Sequence, residues 1–309
     1  MALVAKGGLW IADAQGENTK LLIRSLPDPE DVHVKQFFQM QDPHWSPDGT
    51  RIVYADGGIR IVNVSNGQKT DLIESRCYEL DSSLGMPSCF YGEWFLEPAW
   101  SPDGKYILFR NQNADYSSLQ ILATDQAGSV PTSITLSSNY YEISDIAWSL
   151  DSASLVFEGY ALLHKTPITD SVAYGLMQVS PNYSDVRVLW PEPQDKSDFR
   201  RVNYPKVMPS GRILFFYSDP ANNTGQSLDL VEGLVGNGNF YESTIWRNVL
   251  PNKVTPFIWH SQGTAFVFGY YLAPYSNRYI IAVGNVVSSK IYILATDVLF
   301  PLHFAWGKP

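Results

Sequence analysis

Six positions in this chain share one repeated offset, and five of them carry polar side chains. Asp42, Glu97 and Asp145 each stand three residues ahead of a tryptophan, at Trp45, Trp100 and Trp148, and His303 stands three ahead of Trp306. Tyr204 and Pro256 hold the same offset from Val207 and Trp259. Carboxylates brought together from adjacent elements around an opening are the donor set of a hard cation such as calcium, or of a basic group on a partner. The metal ligands, if there is a metal, are therefore expected among Asp42, Glu97 and Asp145. The competing expectation is a solvated rim whose carboxylates accept backbone hydrogen bonds. Asn111, Asn113 and Asp115 also alternate oxygen ligands, but without the glycine and terminal glutamate of a calcium loop.

Catalytic signatures are otherwise missing. The chain contains no Gly-x-Ser-x-Gly, His-Glu-x-x-His, Gly-Lys-Ser/Thr or Cys-x-x-Cys, and its five histidines (33, 44, 164, 260, 303) are scattered. We expect no catalytic residues and no obligatory cofactor, with calcium as the one candidate. Two cysteines, Cys77 and Cys89, fall in one long polar stretch beside Phe90, Tyr91, Trp94 and Phe95. A disulfide closing that loop would place the protein in an oxidising compartment, periplasmic or extracellular; two unpaired thiols are the other reading. The aromatic residues are candidates for a recognition surface, or for plugging a channel mouth. The sequons at Asn63, Asn182 and Asn222 matter only in a glycosylating host.

The elements that position these residues follow from a repeat. Trp45-Ser46-Pro47-Asp48-Gly49 returns as Trp100-Ser101-Pro102-Asp103-Gly104, then in worn form at Trp148, Val207 and Trp259, and truncated at Trp306. Proline presets φ near −65°, Asp hydrogen-bonds locally and Gly accepts the left-handed conformation, so each copy is a hairpin corner. β-Forming runs such as Ile52-Val53-Tyr54 and Ile107-Leu108-Phe109 follow it. Intervals of 55, 48, 59, 52 and 47 residues in an all-β chain indicate one four-stranded blade per repeat.

The motif, followed by an apolar strand and a strand ending in a polar turn such as Ile61-Val62-Asn63-Val64-Ser65-Asn66-Gly67, resembles the WD40-like (PD40) repeat of TolB-type β-propellers. That resemblance implies a propeller fold and leaves activity open. The chain opens on the second and third strands of a blade, and Phe304-Ala305-Trp306 supplies an inner strand with nothing after it. We therefore expect a single all-β domain over 1–309, a six-bladed propeller whose C-terminal strand completes the N-terminal blade. The blades are expected at 2–24 plus 303–306, 43–74, 98–136, 146–190, 205–250 and 256–298, with no helix of note.

The tryptophans and the residues before them (His44, Ala99, Ala147, Lys206, Ile258, Ala305) alternate between blade faces and should be core. If each Trp faces the preceding-position residue of the next blade, Ala at three sites makes room for the indole, and Val207 opposes the larger Ile258. The long connections 25–42, 75–97, 160–173 and 191–204 should share one face, the recognition face, while the Pro-Asp-Gly corners stay short on the other.

Charge narrows the partner. Lys plus Arg is 22 against 31 Asp plus Glu, a net −9, which argues against nucleic acid or an anionic membrane as the main partner. No apolar run is long enough to span a bilayer, and the opening residues do not read as a basic, apolar, small-residue leader. We expect an excised domain or mature form, a monomeric propeller within a larger protein or complex. Its expected role is a non-catalytic recognition or scaffold domain binding protein or peptide. The alternatives are a carbohydrate-active or metal-dependent enzyme using the channel mouth, and a ligand-sensing ectodomain of a signalling protein.

Overall fold

In a computed structural model the described residues are 2–5, 8–12, 18–24, 40–74, 93–112, 117–124, 130–134, 140–165, 170–179, 186–190, 201–218, 227–236, 239–251, 254, 257–260, 262–271, 278–299 and 303–305. They form six four-stranded antiparallel sheets in a propeller arrangement. The chain divides into two compact units, residues 1–134 with 301–309, and residues 135–300.

The first unit holds three sheets. β1 (Ala2–Ala5), β2 (Gly8–Ile11) and β3 (Lys20–Arg24) are joined by the C-terminal β24 (His303–Ala305), which pairs with β1 so that Ala2 lies opposite Ala305. The next runs β4 (Gln41–Trp45), β5 (Arg51–Ala55), β6 (Gly58–Asn63), β7 (Lys69–Glu74). The third runs β8 (Trp94–Trp100), β9 (Tyr106–Gln112), β10 (Ser117–Ala123), β11 (Thr132–Ile134).

The second unit holds the other three. They are β12 (Tyr140–Trp148), β13 (Leu155–Lys165), β14 (Asp170–Val179), β15 (Val186–Trp190); β16 (Arg201–Val207), β17 (Ile213–Ser218), β18 (Ser227–Gly236), β19 (Asn239–Pro251); and β20 (Phe257–Trp259), β21 (Ala265–Tyr271), β22 (Arg278–Asn285), β23 (Lys290–Leu299).

The repeated corner is built by its own side chains. Ser46 Oγ donates to Asp48 Oδ1 at 2.6 Å and accepts from Arg51 N at 2.9 Å, while the same Asp48 oxygen accepts from Thr50 N at 3.0 Å. Gly49 takes φ 74° and donates its N–H to the Ser46 carbonyl. Ser101 with Asp103, and Ser149 with Asp151, repeat the arrangement. Where the serine is replaced by Met208, the backbone bonds alone remain, from Gly211 N to the Met208 carbonyl and from Met208 N to the Arg212 carbonyl. These donors lower the Asp48 carboxyl to about 2, first through Ser46 and then through the Thr50 amide.

Core packing corrects one expectation. Trp100 and Trp259 face the preceding sheet, not the next. Trp100 packs with Val53, Ala55 and Phe109, and the Arg51 guanidinium lies 4.6 Å over its ring. Trp259 packs on Leu214 and Phe216, and its indole N–H donates to the Tyr204 carbonyl at 2.6 Å. Val207 accordingly packs against a cluster that includes Val156 and Leu176 of the sheet before it and does not include Ile258. A period of two says which residues share a face, but not which neighbour that face meets.

Candidate functional site: the mouth of the inner strands

Asp42, Glu97, Asp145 and Tyr204 occupy equivalent places in β4, β8, β12 and β16, within the strand rather than at its start for the last three, and all four are left-handed, with φ of 49°, 54°, 49° and 54°. Each coincides with a break in register between inner and second strand, at Gln41/His44, Leu96/Ala99, Ser144/Ala147 and Asn203/Lys206. Each of these places is thus a bulge, found in two sheets of each unit, and a bulge turns a side chain out of the pleat and frees an amide from the ladder. In three of the four a proline follows directly (Pro43, Pro98, Pro205), a residue that gives up no ladder donor at such a place.

The side chains answer the freed amides. In the first unit, Asp42 Oδ2 accepts from the Glu97 N–H at 3.2 Å. In the second, Asp145 Oδ2 accepts from the Tyr204 N–H at 3.1 Å. Each aspartate therefore ties its own inner strand to the same position of the next. At Tyr204 the register partner is Pro256, which has no N–H to offer; Tyr204 instead stacks on Phe257 at 4.2 Å and donates its hydroxyl to the Val254 carbonyl at 2.7 Å. Burial, with the Asp145 charge beside it, pushes the Tyr204 phenol well above its usual range, so it stays a neutral donor.

Glu97 is held differently. Its Oε1 receives Arg110 Nη2 at 2.7 Å, and Arg110 Nη1 also donates to Gln112 Oε1 at 3.0 Å. Asn111, 2% exposed on the opposite face of β9, donates to Glu93 Oε1 at 3.4 Å. Among the described residues no three His, Cys, Asp or Glu side chains are grouped as metal ligands. Outside the mouth, His44 serves the scaffold, its Nδ1 accepting from Trp100 N at 3.4 Å. Burial lowers the Lys206 ammonium.

A second polar group lies at the same strand ends of the first unit. Asp56, 3% exposed in the β5–β6 turn, is flanked by Arg60, which donates Nε to the Asp56 carbonyl at 3.2 Å and pairs with Asp71. Burial raises the Asp56 carboxyl.

The aromatic loop residues separate. Phe95 is 4% exposed and packs edge-on against Phe109 at 5.3 Å, so it belongs to the core and not to a contact surface. Trp94, half-buried where β8 begins opposite Gln112, is what this pair presents at the mouth. Cys77, Cys89, Phe90, Tyr91 and Pro256 lie outside the described residues, as does the side chain of His303, whose backbone pairs with Val4. Sequence reasoning missed Arg110 and the left-handed bulge. A signal for the bulge does exist in the chain, in the Asp-Pro, Glu-Pro and Tyr-Pro steps inside apparent strands.

Comparison with solved structures is informative about the fold. A protein assigned as TolB from Agrobacterium tumefaciens superposes with TM-score 0.59 at 15% identity, over 96% of this chain and 89% of that one. The fold is that of a TolB-like β-propeller. The chain also matches a puromycin-hydrolysing peptidase of Mycobacterium tuberculosis (TM-score 0.53, 13% identity, 94% of this chain) and the tricorn protease (0.52, 11%, 97%). It spans only 41% and 29% of those two proteins, and under two thirds of several other structures it matches. No family model and no curated protein sequence matches it. No helix among the described residues is long and apolar enough to cross a membrane.

Proposed function

We propose that the six sheets form one six-bladed ring domain, closed by β24 on β1, that acts as a non-catalytic recognition or scaffold module for a protein or peptide in a periplasmic or extracellular setting. The observation that carries this is the employment of the mouth carboxylates. Asp42 and Asp145 hold the backbone of the next inner strand and Glu97 holds Arg110, so the acidic groups that an enzyme would aim at substrate already serve the scaffold. Three connections from an outer to the next inner strand, 25–40, 75–93 and 191–200, are long, whereas those at 135–139, 252–256 and 300–302 are three to five residues, and residues 160–173, expected as a long connection, instead fall largely within β13 and β14. Long loops on a rigid frame are where partners are met.

Peptide-library capture on wild type, Trp94→Ala and Phe95→Ala tests the proposal. Loss of capture by Trp94→Ala with its unfolding transition unchanged supports it; Phe95→Ala should lose stability instead. Turnover of a glycan panel that Glu97→Gln abolishes would replace it with the enzyme reading. A calcium-dependent rise in unfolding temperature that disappears in Asp42→Asn/Glu97→Gln/Asp145→Asn would assign the arc to a metal.

A further inference from the structure

The outer strands differ in what they expose. β7 exposes Lys69, Thr70, Asp71 and Glu74, β3 exposes Lys20 and Arg24, and β11 exposes Thr132 and Ser133. The exposed positions of β19 are predominantly polar too. β23 does the reverse: Ile291, Tyr292, Ile293 and Leu294 are 41%, 51%, 60% and 62% exposed, and Val287 in the preceding turn is 82% exposed. β23 is the last strand of its sheet, so one side of its backbone is unpaired within the sheet.

Four consecutive exposed residues alternate between the two faces of the sheet. A helix or loop lying on either face would cover two of them and leave the other two in water. An added strand in the plane of the sheet gives every one of the four a cross-strand neighbour and pairs the free edge. The stretch that can accept one is defined by register. Lys290 to Ile293 pair with Asn285 to Ala282 without interruption, and the first irregularity follows Ile293.

We propose that this edge pairs with β23 of a second copy of the chain, antiparallel about a two-fold axis through Tyr292, in place of the monomeric propeller expected from the sequence. That register sets Ile291 opposite Ile293 of the second copy in both directions, Tyr292 opposite its counterpart, and Lys290 opposite Leu294. No like charges oppose one another, and four isoleucines meet on one face. The occupant has to be an extended segment, apolar on both faces; β23 already is one, so joining it to another costs no ordering of a loose peptide. The contact is isologous and closes at two copies. Five exposed side chains bury roughly a few hundred Å² per copy, below the ~800 Å² per partner of a stable complex, so the dimer is weak and concentration-dependent. With a net charge of −9 per chain, the copies repel at long range, and added salt strengthens the association.

Sedimentation velocity from about 1 µM to about 500 µM, at low and moderate salt, reads this directly. Wild type should shift from monomer to dimer across the range. Ile293→Lys should stay monomeric with an unchanged unfolding transition, and Val130→Lys, on an 86% exposed valine elsewhere, should dimerise like wild type. Mild oxidation of Tyr292→Cys should give a disulfide-linked dimer that neither the parent chain nor Ile245→Cys gives. A monomer at every concentration, a dimer insensitive to Ile293→Lys, or equal cross-linking from position 245 would each overturn the proposal. So would an apolar strand peptide that binds β23 while the chain stays monomeric.

Discussion

Asp145 allows the bulge at the mouth to be tested as chemistry rather than as shape. Its side chain does two things at once: Oδ2 accepts the Tyr204 amide at 3.1 Å, and the residue tolerates φ of 49°. Three substitutions separate these. Asp145→Asn keeps an acceptor oxygen and a residue that visits the left-handed region readily, losing only the charge assistance, about 1 kcal/mol. Asp145→Gly loses the hydrogen bond to a charged group, about 1.5–3 kcal/mol, but adopts the backbone conformation freely. Asp145→Ala loses the same bond and adds left-handed strain of about 1–2 kcal/mol. Glycine gives back part of its advantage through a freer unfolded chain, about 0.5–1 kcal/mol. The expected order of loss is Asn, then Gly, then Ala, with Ala about 3–4 kcal/mol below wild type. Urea unfolding followed by tryptophan fluorescence measures it, since the Trp259 indole N–H is bonded to the Tyr204 carbonyl. Equal losses for all three, or Ala milder than Gly, would refute the reasoning.

Other outcomes follow from the same geometry. Ser101→Ala removes a fully buried hydroxyl that bridges Asp103 and the Tyr106 amide, and should cost about 1–3 kcal/mol in denaturant unfolding. Gly211→Ala meets nothing within 4 Å and should cost only its left-handed strain, about 1 kcal/mol. Gly263→Ala should cost more, because the new methyl would lie 2.2 Å from Met208 Sδ; a crystal structure should show Met208 displaced. The Asp48 carboxyl is lowered in the folded chain from 3.8 to about 2, so the stability it brings is complete above 3.8 and disappears as pH falls through about 2; the gap between wild type and Asp48→Asn should close over that interval. Lys206, its ammonium disfavoured by burial, should give a more stable protein as Lys206→Met at neutral pH, by roughly 1 kcal/mol. That advantage should shrink as pH rises from the lowered folded value towards 10.5, where the unfolded chain also loses the proton.

The corner motif was legible because its residues act locally: serine, proline, aspartate and glycine complete their bonds within six positions. The strand following each corner was legible for the same reason, as an apolar β-forming run next to a fixed turn. The mouth was legible only as a register. Nothing local distinguishes an Asp42 that coordinates a cation from one that accepts the amide of Glu97, a residue 55 positions on. Phe95 likewise reads as a loop aromatic until Phe109 is placed beside it. The direction of the tryptophans depends on which neighbour a pleated face meets, which a two-residue period does not encode.

The pairing of Ala2 with Ala305 has a consequence for how the chain is made. β1 has no inner neighbour until β24, about 300 residues further on, has been synthesised, so for that interval it carries an unsatisfied edge that any nascent strand could occupy. Cα atoms of antiparallel partners sit about 5 Å apart, so a short linker between residues 305 and 2 would span the gap. A circular permutant opened in the segment joining β3 to β4 would emerge with β24, β1, β2 and β3 contiguous, and should refold with less aggregation than the natural order.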